Sequence, residues 1–293
     1  MKQFKILSAL PLLFLSLLVT SQTAEKVSSI NNNNSLLWKI SGNGLSKPSY
    51  LFGTYHMLCK DQFIIKDKVK NALEKSDGIV AEVNFLDSTE IATMQKMMMG
   101  TKKLSETLNE VQKKELDEAL KLYGLSLQQA DNFSLTLLYS LMALKAVDCP
   151  PADIKTIDIE LMQMAKASGK TIGALETMAG QIQIMEKAYS LQDVLKQMKN
   201  TEGNKTVYAR LAAAYIAEDL VVLDELLKDP AFMTKDQEKY MLTLRNNSWV
   251  KSMPALMKNN SLFFAVGAGH LWGDEGVITL LTNMGYTVQP VNQ

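Results

Sequence analysis

The sequence predicts an α/β fold: a central mixed β-sheet built from both ends of the chain, with a large helical insert between. Three observations carry this prediction. "YLFGTYHM", residues 50–57, and "FFAVGAGHL", residues 263–271, each run from an apolar strand-like segment into G-x-x-H. In both places a helical pattern and then a second strand pattern follow. The third observation is the stretch of about residues 87–258, which reads almost throughout as helix.

At the front, Leu36–Ile40 and Ser49–Phe52 are short apolar runs joined through Gly42-Asn43-Gly44 and Pro48, a hairpin connection. "DQFIIKDKVKNALEKSD" has helical spacing at Phe63, Ile64, Val69 and Leu73, Gly78 stops it, and "IVAEV" is a buried strand that contains Glu82. At the far end "SLFFAVGAGH" is a strand, "LWGDEGVITLLTNMG" a helix stopped by Gly285, and "YTVQPV" the last strand. Strand–G-x-x-H–helix–strand thus occurs twice, as expected of two related halves of one sheet. In the insert, helices are expected over 105–124 and 132–147 and around 156–168, 178–199, 205–228 and 236–258. "TIGALE" is one short strand, and the methionines of "MQKMMMG" are core or groove packing.

Composition bounds the partners. The chain has 293 residues with 31 basic and 31 acidic, so it lacks the basic surface that neutralises phosphates, and nucleic acid is not an expected partner. Lys2 and Lys5, the apolar run Ile6 to Val19 and the small residues Thr20-Ser21-Gln22 read as a secretory signal peptide over 1–21. The apolar run is shorter than the roughly 20 residues that span a bilayer, so no stable membrane anchor is expected after cleavage. Residues 22–35 read as a flexible lead-in and 36–293 as one domain, acting in the periplasm or outside the cell, as in a bacterial envelope. In an oxidising compartment Cys59 and Cys149 are expected to form a disulfide, two free thiols being the alternative.

Chemistry is concentrated at the G-x-x-H motifs. Ligands in open sheets gather beyond the carboxyl ends of the strands, and glycine there lets the backbone turn or approach a ligand. His56 and His270 are the only histidines, and if their strands are neighbours the two imidazoles meet. Two imidazoles and a carboxylate form a recurrent open metal site. Glu82 and Glu176 are the candidate carboxylates, one as ligand and the other as base, with Glu82 the nearer to the metal. Singly, each histidine reads more simply as a hydrogen-bonded structural residue, and Glu82 as half of a salt bridge. No H-E-x-x-H helix or G-x-S-x-G elbow is present.

These segments also resemble a known family. "LLWKISGNGLSKPSYLFGTYHM" is similar to the opening of TraB/GumN proteins, and "SLFFAVGAGHLWGDEGVITLLTNMGYTVQPV" to their close. "LRNNSW", residues 244–249, resembles an R-N-x-x-W-like element, and "IDIELMQMAKASGKTIGALET" an aspartate-led helix leading to L-E-T. At Leu244 the chain departs from the acidic residue that often precedes Arg-Asn. The resemblance extends to the Tiki metallopeptidases, with two G-x-x-H motifs, a glutamate and a divalent metal, and to a wider group with erythromycin-esterase-like and haem-binding ChaN-like proteins. It implies a mixed-sheet core and a metal (manganese, cobalt or zinc) at His56, His270 and Glu82. Glu82, Glu176 and Arg245 would be catalytic, with Arg245 on the oxyanion or a substrate carboxylate, and the substrate a peptide or protein. The expectation is an exported metal-dependent hydrolase. The alternatives are a non-catalytic envelope protein binding haem, peptide or metal in the same crevice, or an inhibitory or signalling module.

Overall fold

A computed structural model describes residues 34–292; the expected signal peptide and nearly all of the lead-in lie outside the described residues. The strands among these are β1 (Leu37–Ser41), β2 (Ser49–Thr54), β3 (Leu58–Cys59), β4 (Gly78–Ala81), β5 (Ile154–Lys155), β6 (Thr171–Ala174), β7 (Leu262–Gly267) and β8 (Thr287–Pro290). Six of them form one mixed sheet in the order β6-β4-β7-β2-β1-β8. Strands β6, β4, β7 and β2 run parallel, and β1 and β8 complete one side antiparallel. Both chain ends therefore supply the sheet, with β6, the "TIGALE" strand, as the contribution of the insert.

The middle of this sheet follows from composition. β7 reads Leu-Phe-Phe-Ala-Val-Gly without polar alternation, and all of it but the last glycine is buried. Such a run is what a parallel strand covered on both faces needs. Phe263 and Phe264 are fully buried with Leu37, Ile40, Leu51 and Ile79. The hairpin between β1 and β2 turns at Gly42, Asn43 and Gly44, all with positive φ.

The insert forms helices, but shorter ones than periodicity alone predicts. The expected helix over 105–124 divides into Leu104–Thr107 and Glu110–Lys121, because Asn109 and Gln112 make a capping box. Ser190 does the same with Asp193, separating Met178–Ala188 from Leu191–Lys199. The helix expected at 271–285 shrinks to Val277–Asn283, preceded by a turn at Gly273 with φ +92°. Leu116, Leu120, Leu138, Val194, Leu195 and Met198 make a second apolar core within the insert. Met94 and Met97 pack against a small cluster of Val83, Met178 and Ile182. No helix of the described residues is long and apolar enough to cross a membrane.

Two features tie the insert to the first motif. Cys59 and Cys149 form a disulfide. Beside it β3 pairs antiparallel with β5, placing Leu58 opposite Lys155. These two-residue strands carry no periodic signal. Together they fasten the segment that follows His56 to the segment that precedes Asp158.

Candidate functional site

Pairing of β2 with β7 sets Thr54 opposite Gly267, so both G-x-x-H motifs leave the sheet at the same end, side by side. Glu82 follows β4, the other neighbour of β7. A one-residue shift in either register would send these side chains elsewhere. His56, His270, Glu82 and Arg245 line one cavity of about 340 Å³.

Each imidazole is oriented by a different residue. His56 donates from Nδ1 to Asp158 Oδ2 at 2.9 Å, and Thr54 Oγ1 donates to the other oxygen, Oδ1, at 2.7 Å. Asp158 is 2% exposed, whereas the His56 side chain is 53% exposed and opens onto the cavity. The Asp158 carboxylate, outweighing the effect of burial, raises His56 to about 9. His270 is buried and donates from Nδ1 to Asn246 Oδ1 at 2.6 Å. Asn246 is committed as acceptor there, since its Nδ2 donates to the Glu275 carbonyl at 2.7 Å. His270 Nε2 then accepts from Arg245 Nη1 at 3.0 Å. Burial, and after it the neighbouring guanidinium, lowers His270 to about 3, so it is a neutral imidazole.

Arg245 organises the carboxylates. Its Nη2 donates to Glu82 Oε2 at 2.6 Å and its Nε to Glu176 Oε1 at 3.0 Å, while Nη1 also reaches the Met241 carbonyl. Trp249, one turn along the same helix (Leu244–Met257), stacks against both the guanidinium and His270 and donates from Nε1 to Glu176 Oε1 at 2.8 Å. Glu82 accepts further bonds from Gln181 Nε2 at 2.9 Å and the Gly267 N–H at 2.7 Å. Burial by itself would raise its carboxyl. Arg245, the two histidines and the Gly267 N–H more than offset this and hold it far below the usual carboxylate range.

Gly267 is central to this arrangement. A Cβ there would stand 3.2 Å from Glu82 Oε1 and 3.6 Å from His56 Nε2 and His270 Cδ2. The φ of Gly267 is −53°, so what glycine supplies here is space, not an unusual backbone conformation. The space it leaves is shared by the three side chains the sequence singled out.

The structure brings together four of the five residues expected at the site. Glu176 does not line the cavity; it lies behind Arg245 and fixes that side chain. Arg245 lines the cavity, but its Nε and Nη1 are directed at protein acceptors and Nη2 at Glu82. A bidentate clamp on substrate is therefore not what this arginine offers as it stands. Sequence reasoning met Asp158 only as the head of the aspartate-led helix and gave no role to it or to Asn246, Gln181 and Trp249. Asp158 opens a helix between two isoleucines, a place where an aspartate is already favourable for the helix dipole, so its partner across 102 residues left no local trace. Asn246 and Trp249 stand inside the "LRNNSW" element, which was the available signal. For Gln181 the sequence holds none.

A cation fits the donor chemistry of this site. Both imidazoles have Nδ1 tied by a supporting residue, the arrangement that orients metal-ligating histidines. Both therefore present Nε2, and Glu82 Oε1 lies 3.7 Å from His270 Nε2. Two carboxylates, Glu82 and Glu176, face the one guanidinium, and a third, Asp158, stands behind His56. As arranged, the described residues contain no group of three or more His, Cys, Asp or Glu close enough to hold a metal, and Arg245 Nη1 takes the His270 lone pair. A cation held by both imidazoles would displace that one hydrogen bond.

Known proteins match the chain over nearly its whole length. It is 23% identical over 355 aligned residues to the Metalloprotease TIKI homolog of Amphimedon queenslandica, covering 98% of this chain and 69% of that protein. It is 22% identical over 335 residues to Metalloprotease TIKI2 of Danio rerio, covering 92% of this chain and 63% of the relative. The chain thus spans about two thirds of the length of these curated relatives. No solved structure matches. The TraB/PrgY/gumN family is matched over residues 36–290, from β1 through β8, and the chain belongs to that family.

Proposed function

We propose that this protein is a metal-dependent hydrolase that cleaves peptide bonds. The observation that carries this reading is the convergence of His56, Glu82 and His270 around the space left by Gly267, with each imidazole held from behind. The distant relatives named as metalloproteases support the reaction class.

In this reading His56 Nε2, His270 Nε2 and Glu82 Oε1 hold the cation. A bound divalent metal supplies Lewis-acid polarisation of a carbonyl and a water nucleophile at neutral pH. Asp158 keeps His56 Nε2 aimed into the cavity, and Asn246 does so for His270 Nε2. Arg245 keeps Glu82 ionised and positioned and itself stays fixed by Glu176 and Trp249. With no cysteine thiolate in the donor set, manganese and cobalt suit the site at least as well as zinc. The Cys59–Cys149 disulfide agrees with action in an oxidising compartment outside the cytoplasm.

Calorimetric titration of the purified protein with manganese, cobalt and zinc tests this, alongside cleavage of a peptide library. One cation should bind per chain, His56→Ala and His270→Ala should each abolish binding without unfolding the protein, and cleavage should require the metal. Binding that ignores both substitutions, or metal-independent cleavage, would sink the proposal.

A further inference from the structure

The cavity has two unlike parts. The ends of β2, β4 and β7 form its polar floor. Apart from Gln181 and Arg245, both bonded to Glu82, the wall supplied by the helical insert is made of tyrosine, leucine, methionine, phenylalanine and alanine side chains. Tyr139 and Tyr189 stack with ring centroids 4.6 Å apart, and Tyr208 packs edge-on to Phe232. The two histidines, Glu82 and Arg245 are the ionisable groups other than tyrosines among its lining residues, and all four gather at the floor, Arg245 reaching Glu82 and His270 there from the helix Leu244–Met257. Burial raises Tyr139, and raises Tyr189 and Tyr208 well above the ordinary tyrosine range, so this wall carries no charge at neutral pH.

We infer that this wall is a specificity chamber for one large apolar side chain, of the phenylalanine, leucine or methionine class, flanking the bond that a peptide substrate presents to the floor. The inference rests on the hydrolase reading for the presence of a scissile bond, and on the chamber alone for the side chain. A charged substrate side chain would lie in the chamber without a partner, at a cost that excludes it. A glycine would leave the apolar wall uncovered. At about 340 Å³ the cavity is at the small end of ligand pockets, enough for one bulky side chain beside the backbone that carries it. Met185 and Met233 supply adaptable wall, which accommodates several apolar shapes in place of one.

Binding and cleavage test the two layers separately. Blocked tripeptides, acetyl-Ala-X-Ala-amide with X as Phe, Leu, Lys or Gly, are titrated against the purified protein and its His56→Ala variant. Burying a large apolar side chain corresponds to Phe and Leu peptides binding on the order of ten-fold more tightly than Gly or Lys peptides. That preference should persist in His56→Ala. It should vanish in Met185→Trp, which fills the chamber, and in Ala143→Phe, a second filling variant from another helix; a melting curve for each establishes that it is folded. A Phe preference removed by filling, in a protein that cleaves no library peptide, would uphold the chamber and overturn the hydrolase reading. Equal affinity for all four peptides, or cleavage without regard to X, would overturn the chamber and leave the hydrolase reading standing. Tighter binding of an octanoyl-glycine amide than of any of the peptides would also overturn it, in favour of an acyl chain as occupant.

Discussion

Asp158 Oδ2 accepts a 2.9 Å hydrogen bond from His56 Nδ1 across 102 residues of sequence, and this pair decides which way the first imidazole faces. Thr54 secures the second carboxylate oxygen, so the aspartate cannot rotate away without breaking both bonds. Asp158→Asn should therefore keep Thr54 as a partner but offer an amide N–H to His56 Nδ1, so that the neutral ring carries its proton on Nε2, the nitrogen that would hold the cation. Manganese or cobalt affinity is expected to fall by roughly 10–100-fold, as for other residues that orient a metal ligand. Calorimetric titration reads the affinity, and circular dichroism checks that the fold is unchanged.

Arg245 is buried between Glu82 and Glu176, and removing it takes the guanidinium counter-charge from both, leaving Glu82 only the Gln181 and Gly267 N–H bonds and Glu176 the Trp249 bond. Arg245→Met is expected to destabilise the protein by about 3–5 kcal/mol, the cost of breaking a buried pair from one side. Adding Glu82→Gln and Glu176→Gln to the same chain should recover much of that loss. Urea unfolding of the single and triple variants measures both numbers.

Gly267→Ala separates space from backbone strain. With φ at −53° an alanine is conformationally acceptable, yet its methyl group would stand 3.2 Å from Glu82 Oε1. The expected outcome is a near-normal melting temperature with cation binding reduced at least to the extent caused by Asp158→Asn. Unchanged binding would mean that the ligand does not occupy the space between the three side chains.

The disulfide closes a loop between residues separated by 90 positions. Its removal in Cys59→Ser/Cys149→Ser is expected to cost about 2–4 kcal/mol. Because β3 and β5 are only two residues long and lie beside it, their amide protons should exchange faster in the same variant. Hydrogen exchange at Leu58 and Lys155 reports this directly.

Acid stability should depend on Glu218, a buried carboxylate that does not line the cavity. Burial pushes its carboxyl up, but hydrogen bonds from Lys66, Lys68 and the Leu36 N–H outweigh this and hold it below the ordinary value of 4.5. A depressed folded-state value means stability that is fully present above 4.5 and is lost as pH falls toward the folded value. The difference in unfolding free energy between the natural protein and Glu218→Gln should thus be constant above about pH 5.5 and shrink below pH 4.5. A difference that grows on acidification would contradict the assignment.

Much of the site was legible because its chemistry is rare in this sequence. With two histidines in the chain, both after apolar runs and both three residues beyond a glycine, position and residue type pointed the same way. Glu82 was visible as a charge inside a buried strand pattern, and Arg245 through a short quoted element. The division of the insert into capped helices was less visible, since Asn109 and Ser190 interrupt patterns whose apolar period continues through them.

By itself the sequence determined the apolar runs, the turn at Gly42-Asn43-Gly44, the paired G-x-x-H motifs and the helical character of the middle. These depend on interactions between residues close along the chain, where spacing and side-chain type suffice. Only the tertiary structure decided that β7 lies between β4 and β2, that Asp158 and Asn246 stand behind the two imidazoles, and that Glu176 supports Arg245 from outside the cavity. The side-chain relationships among these span 24 to 102 residues and the strand pairings more, and they arise from strand register and from burying apolar faces together, which no local pattern encodes.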